Sequence, residues 1–255
     1  MKIEVNNDSD DAYAGLVGYL GTNGKIINVK LGNKNTITTS TERYAYSGGI
    51  CGENEGSITD CSIGSDNIIT ASALKITLQQ LGFRVYSGGI CGQNGGSITD
   101  CSIGDNNIIT ATCVHFSSHS GGICGENKDS ITKCSIGKNN TITATSTSTS
   151  PNSSADSGGI FGGNYSSDPI KDCSIGDNNI ITASAGGSAH SGGIFGVNGD
   201  DSITNCSIGV DNIIVGKITN LITNSTTKET SETNNIQKIH DTESSVDLNL
   251  QGYIA

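Results

Sequence analysis

The sequence predicts an all-β fold, a right-handed, three-sided parallel β-helix of about six coils, and three observations carry that expectation. First, the 255 residues contain six imperfect copies of a unit of roughly 34 residues. Aligned on glycines 15, 49, 89, 122, 159 and 193, the copies are 34, 40, 33, 37 and 34 residues apart, a period that marks stacked repeat architectures. Second, 35 glycines, two prolines, four phenylalanines and no tryptophan cannot fill a wide core, whereas Ile and Thr can line a narrow one. Third, equivalent positions in successive copies hold residues of one kind, as stacked coils require.

The elements follow in order. Residues 1–10 form a short lead. The six-repeat solenoid occupies residues 11–216, and each clear copy offers three strand candidates, such as 47–54, 57–64 and 66–71, separated by Gly and Asn turn residues. Three strands per coil imply three sides, and the right hand follows from the general preference of parallel crossovers. Residues 217–255 form a polar tail, a cap or disordered, with sparse Ile218, Leu221, Ile222, Ile236 and Ile239. Two insertions interrupt the rhythm. Leu74 to Tyr86 is apolar enough to pack on the stack or meet a partner, and Thr145 to Ala155 reads as a flexible low-complexity loop.

The columns define the interior. One holds Val17, Cys51, Cys91, Cys124, Phe161 and Phe195, and another Val29, Cys61, Cys101, Cys134, Cys173 and Cys206. Cysteine exchanging with valine and phenylalanine marks a buried slot in which the free thiol acts as a small hydrophobe. Disulfides within a coil, Cys51–Cys61, Cys91–Cys101 and Cys124–Cys134, are the alternative, but Cys173 and Cys206 have no such partner and nine is odd. Two asparagine columns, at 35, 67, 107, 140, 179, 212 and at 54, 94, 127, 164, 198, predict amide ladders that fix the register at two corners.

A formal net charge of −11 argues against nucleic acid and anionic lipid as partners. No apolar run is long enough for a membrane helix, and no signal-peptide region is visible at the start. Because the first repeat opens at about Asp11, the chain reads as a fragment of something longer.

The run Gly48-Gly49-Ile50-Cys51-Gly52-Glu53-Asn54-Glu55-Gly56-Ser57-Ile58-Thr59-Asp60-Cys61 resembles the GLUG motif, a Gly-Gly-apolar-apolar-Gly-x-Asn opening followed by Gly-x-Ile and a further strand. Five other copies match, over about four-fifths of the chain; the first, Ala14-Gly15-Leu16-Val17-Gly18, departs most. The resemblance implies a repeat scaffold of a bacterial surface or secreted protein, as in adhesin-like chains and the non-catalytic parts of immunoglobulin-cleaving metallopeptidases, and no active site.

Three candidate sites present themselves. His115 and His119 lack the Glu of a zinc-peptidase helix motif, Phe116 standing in its place, and read as a solvated loop. The column Asn28, Asp60, Asp100, Lys133, Asp172 and Asn205 would bring Asp60 and Asp100 about 5 Å apart, a spacing usable in glycoside or calcium chemistry, although a bulge would carry short polar residues there anyway. Outward Thr38, Thr70, Thr110, Thr143 and Thr182 resemble an ice-binding array, but the paired form occurs only in Thr36-Ile-Thr38 and Thr141-Ile-Thr143, Ile68, Ile108, Ile180 and Ile213 standing first elsewhere, and the ordinary β-propensity of Thr on an exposed face accounts for the column as well. No catalytic, cofactor-binding or metal residue is expected. The sequence points to a non-enzymatic, adhesin-like scaffold, extracellular or at a cell surface, that binds a glycan or a protein along one face. A polysaccharide-active enzyme using the Asp column and an ice-binding or end-to-end self-associating solenoid are the alternatives.

Overall fold

The computed structural model describes residues 1–7, 10–73, 83–114, 116–148, 150–166, 168, 170–198 and 203–219, and the backbone of 235–238. Among these residues there is no helix. The chain is a parallel β-solenoid of six coils, each contributing one strand to five stacked sheets.

Taking the second coil as the example, sheet I receives Ile68–Ala73, sheet II Ala45–Gly48, sheet III Cys51–Asn54, sheet IV Ser57–Thr59 and sheet V Ser62–Ile63. Two of the three strand candidates are therefore each divided by a corner. The first divides between Gly48 and Cys51. The second divides at Asp60, whose φ of 54° takes the chain through the left-handed region. Register is residue for residue in every sheet, with Ile37, Ile69, Ile109, Ile142, Ile181 and Ile214 forming one row. The first coil is one residue shorter at the Gly-Gly corner: Ala14 pairs with Ser47 while Val17 pairs with Cys51.

The cross-section has a broad part and a narrow arm. In the broad part, inward Ile50, Cys51, Ile58, Cys61, Ile63 and Ile69, with their equivalents, form one continuous core, nearly unexposed in the inner coils and partly exposed at Val17, Val29, Phe195, Cys206 and Ile208 in the end coils. Each fully buried Ile contributes about 1.5–3 kcal/mol by leaving water. In the arm, sheets I and II face each other across small side chains, Ala45, Ala71, Ala111 and Val85 in one cluster and Ala144, Ala155 and Ala183 in another. The serines before Gly-Gly in the third to sixth coils brace this arm: Ser87, Ser120 and Ser157 each donate to a sheet I carbonyl at 3.2 Å and Ser191 at 2.9 Å.

Both asparagine ladders are present. Side-chain amides of Asn35, Asn67, Asn107, Asn140 and Asn179 follow one another at 2.9 to 3.1 Å, and those of Asn54, Asn94, Asn127, Asn164 and Asn198 at 2.7 to 2.9 Å. In the first ladder each Oδ1 also accepts the backbone N–H of the preceding rung. All nine cysteines are free thiols, so the disulfide alternative does not hold. In the second column Cys61, Cys101, Cys134 and Cys173 each donate to a carbonyl two residues back, at 3.2 to 3.3 Å, as a second donor to an oxygen that already accepts a backbone N–H from the preceding coil. Burial pushes the Cys91 and Cys124 thiols up.

Several segments differ from expectation. Residues 2–7, within the expected lead, add a further rung to sheet I by pairing with 36–41. Phe83, Val85 and Tyr86, read as insertion, are buried parts of the arm and of sheet II; residues 74–82 lie outside the described residues. The serine-rich insertion is no free loop at its ends, since Thr145 and Ser146 belong to sheet I and Ser154 and Ala155 to sheet II. Buried Ser153 accepts the Gly187 N–H at 3.0 Å. Of the tail, Asn235–Lys238 lies antiparallel against 213–216, and the rest beyond Thr219 is outside the described residues.

Candidate functional site: a groove between sheets II and III

The Gly-Gly-Ile-Cys-Gly motif sets the angle between two sheets. The third glycine of the motif lets the sheet III backbone press on sheet II: a Cβ at Gly92 would lie 2.6 Å from Gly52 O and 2.8 Å from Ser47 N. No side chain fits there. The outward residues of sheet II on one wall therefore face those of sheet III on the other, and a groove runs along the stack.

On the sheet II wall one register column carries Tyr13, Tyr46, Tyr86, His119, Asp156 and His190. The first four rings stack face to face, with centroids 4.7, 5.2 and 5.3 Å apart and planes within 20°. Such stacking suits a parallel sheet whose rungs are about 4.8 Å apart. Asp156 then lies between two imidazoles, its Oδ1 2.7 Å from His190 Nδ1 and its Oδ2 3.2 Å from His119 Nδ1.

On the sheet III wall the facing column is Tyr19, Glu53, Gln93, Glu126, Gly163 and Val197. Glu126 is fully buried, accepts from Gln93 Nε2 at 2.8 Å and pairs with Lys128 Nζ at 3.1 Å and Arg84 at 3.8 Å. The two cations and the amide keep a buried carboxylate tolerable. Gly163, where the wall loses its side chain, makes room for His119: a Cβ there would meet Nδ1 at 3.0 Å.

The groove widens into an open recess of about 550 Å³ at the second to fourth coils, lined by Tyr44, Tyr46, Arg84, Tyr86, Gln93, Phe116, Ser117, Lys128 and Asn152. That volume lies within the range of about 300–1,000 Å³ typical of small-ligand sites. Burial, and then Glu53, push the Tyr13 phenol up to about 12; burial likewise raises Tyr46 and Tyr86, so all three stay protonated donors. Burial and the nearby Glu55 raise the Glu53 carboxyl. The lining of the recess thus carries phenol, guanidinium, ammonium, hydroxyl and amide groups. The rings stack on one another and are largely buried, and Tyr44, half-buried beside Tyr46 at a centroid distance of 6.4 Å, extends the aromatic wall toward the rim.

The residues singled out in the sequence lie elsewhere, with one exception. His119 is not in a solvated loop but buried in the sheet II wall; His115 lies outside the described residues. Asp60, Asp100, Lys133 and Asp172, with Asn28 and Asn205, are exposed corner residues with φ of 53° to 56°. Asn and Asp tolerate this conformation best, which explains the column without a catalytic role; a left-handed corner, not a bulge, selects them. Among the described residues no group of three or more His, Cys, Asp or Glu is arranged to hold a metal ion. No described helix is long and apolar enough to cross a membrane.

The tyrosine and Glu/Gln walls escaped the sequence reading because they occupy the variable slots of the motif, three residues before the second glycine and one before the asparagine. The repetition Tyr46, Tyr86 and Glu53, Gln93, Glu126 at fixed offsets was the available signal.

No protein-family model matches the chain, and no curated protein is similar to it. Among solved structures, that of a "putative immunoglobulin A1 protease" from Bacteroides ovatus is similar to the chain at 18% identity with a TM-score of 0.48, covering 91% of this chain and 64% of that one.

Proposed function

We propose that this solenoid is a non-enzymatic, adhesin-like scaffold of a cell-surface or secreted protein that binds a glycan along the groove between sheets II and III. The observation that carries the reading is the open recess. Its lining combines phenol, guanidinium, ammonium, hydroxyl and amide groups with the aromatic rings of Tyr44 and Phe116. An extended chain of hydroxyl groups suits such a lining, since each sugar can exchange hydrogen bonds with fixed side chains without burying an unpaired charge. The GLUG resemblance of the corner motif supports a surface location.

A glycan-array screen of the chain tests this. Selective binding is expected, and it is lost in Tyr44→Ala and Asn152→Ala, which alter the rim without touching the core. A chain that binds no glycan, or whose binding survives both substitutions, contradicts the reading. Binding of a protein ligand abolished by the same substitutions would keep the site and change the ligand class.

A further inference from the structure

A second surface, on the opposite side of the arm from the groove, has a different chemistry. Sheet I pairs residue for residue over strands of six, so its outward positions 36, 38 and 40 recur in register in the next four coils. Of these fifteen positions twelve are Ser or Thr and three are Ile; none is charged and none is aromatic. Charges return only at the flanking rungs, with Lys2 and Glu4 at one end and Lys217 at the other.

The sequence showed the Thr-x-Thr pair in two coils only, at the first and second outward positions. The six-residue strands show that the second and third positions form the repeated pair, as in Thr38 with Ser40, Thr110 with Thr112, and Thr143 with Thr145. Every one of the five coils has a hydroxyl at both. Ser72 is the one member turned back, its Oγ donating to Thr39 O at 3.2 Å. Register places Thr38, Thr70, Thr110, Thr143 and Thr182 in one column along the stack, and the Oγ1 atoms of Thr143 and Thr182 lie 3.1 Å apart. Beside them Ile68, Ile108 and Ile180 stand 42%, 44% and 39% exposed.

We propose that this face binds ice. Its groups repeat in two dimensions, about 4.8 Å between rungs and roughly 6.7 Å between alternate residues of a strand. A partner that uses every group must be periodic as well. Thr and Ile are stiff at χ1, so the array is fixed before contact and loses little entropy on binding. Each Thr presents a hydroxyl beside a methyl, which meets a lattice of water without burying charge.

Other occupants fit less well. Protein interfaces are enriched in aromatic residues and Arg and depleted in Ser, the reverse of this face. A second copy would cover about 500 Å² per partner, fifteen positions at about 4.8 by 6.7 Å each, less than the roughly 800 Å² of a standard interface. A glycan platform wants rings, and there are none.

Thermal hysteresis and ice-recrystallisation assays on the purified chain test the proposal. The chain is expected to shape and arrest ice crystals, and Thr110→Lys to lose that activity while its circular dichroism and melting temperature stay unchanged. Thr143→Val, which keeps shape and β-propensity, reports on the hydroxyl alone and is expected to weaken the activity. Tyr44→Ala, in the groove, leaves it intact. Ice growth indistinguishable from an albumin control overturns the proposal, as does full activity in Thr110→Lys. Sedimentation showing a dimer that Thr110→Lys abolishes, without ice activity, would overturn it in favour of a self-association face.

Discussion

Replacing Asn107 by alanine removes four hydrogen bonds from the middle of the first amide ladder. Its Oδ1 accepts from the Asn67 backbone N–H at 2.9 Å and from Asn67 Nδ2 at 3.0 Å. Its Nδ2 donates to Gly104 O at 2.9 Å and to Asn140 Oδ1 at 3.0 Å. The side chain is 1% exposed, so solvent cannot readily replace it. Two partners keep other bonds: Asn67 Nδ2 still reaches Gly64 O, and Asn140 Oδ1 still accepts from the Asn107 N–H. The Asn67 backbone N–H loses its acceptor outright. At about 1 kcal/mol for each of the four bonds, with a further penalty of about 1–3 kcal/mol for the buried orphan donor, the loss comes to about 5–7 kcal/mol. It falls on the junctions that Asn107 makes with the coils before and after it. Urea unfolding followed by circular dichroism reads it as a shift in midpoint, against Asn6→Ala as the exposed control expected within about 0.5 kcal/mol. If Asn107→Ala is as mild as Asn6→Ala, the ladder does not hold the register and the reasoning fails.

Four further outcomes follow from the same geometry. Gly92→Ala should destabilise by about 3 kcal/mol or more, because its Cβ would overlap the backbone of Gly52 and Ser47; a melting temperature unchanged from the parent would mean that sheets II and III do not meet there. Asp60→Gly should be neutral or stabilising and Asp60→Val should cost about 1–2 kcal/mol, since position 60 needs a left-handed backbone and not a carboxylate; equal losses in both would restore a role for the acid. Cys206, half-buried in the last coil, should react with a maleimide before the eight buried thiols, as mass spectrometry of partly labelled native protein would show. The hydrogen bond to Asp156 raises the His190 pKa above its ordinary value of 6.5. This pair's contribution is therefore complete below pH 6.5 and lost as pH rises through the folded pKa. Stability should fall as pH rises above 6.5 by no more than about 1 kcal/mol, because His190 is half exposed, and the fall should vanish in Asp156→Asn.

How much was legible in the sequence depends on how strongly one structural slot constrains its occupant. The Ile69 row, the cysteine columns and both asparagine ladders could be read directly, because a narrow core and a buried amide each accept few residue types. The division into five sheets was hidden. Asp60 and its equivalents looked like surface polar residues, and only their φ shows that a corner interrupts the strand. The strand 68–73 extends two residues beyond its expected end because Ser72 and Ala73 lack the large apolar side chains that mark a core, yet Ala73 lines the alanine-filled arm. The groove was missed for a related reason. Its walls sit where the motif tolerates variation, so Glu53, Gln93 and Gly163 look unrelated until register places them in one column. His119 was misjudged because its neighbours His115 and Phe116 suggested a loop, whereas its place in the stack beneath Tyr86 buries it.

The claim beneath all of this is that equivalent residues of successive coils bond directly to one another. Scalar couplings across hydrogen bonds, measured by NMR on isotope-labelled protein, test it at the corner motif. The amides of Gly49, Gly89, Gly122 and Gly159 donate to the carbonyls of Gly89, Gly122, Gly159 and Gly193 at 2.8, 2.8, 2.8 and 3.0 Å. The account predicts four couplings that link these glycines in unbroken succession, each spanning one whole repeat. Couplings from these amides to carbonyls within their own repeat, or amides that exchange with solvent as freely as those of an unfolded chain, would contradict it.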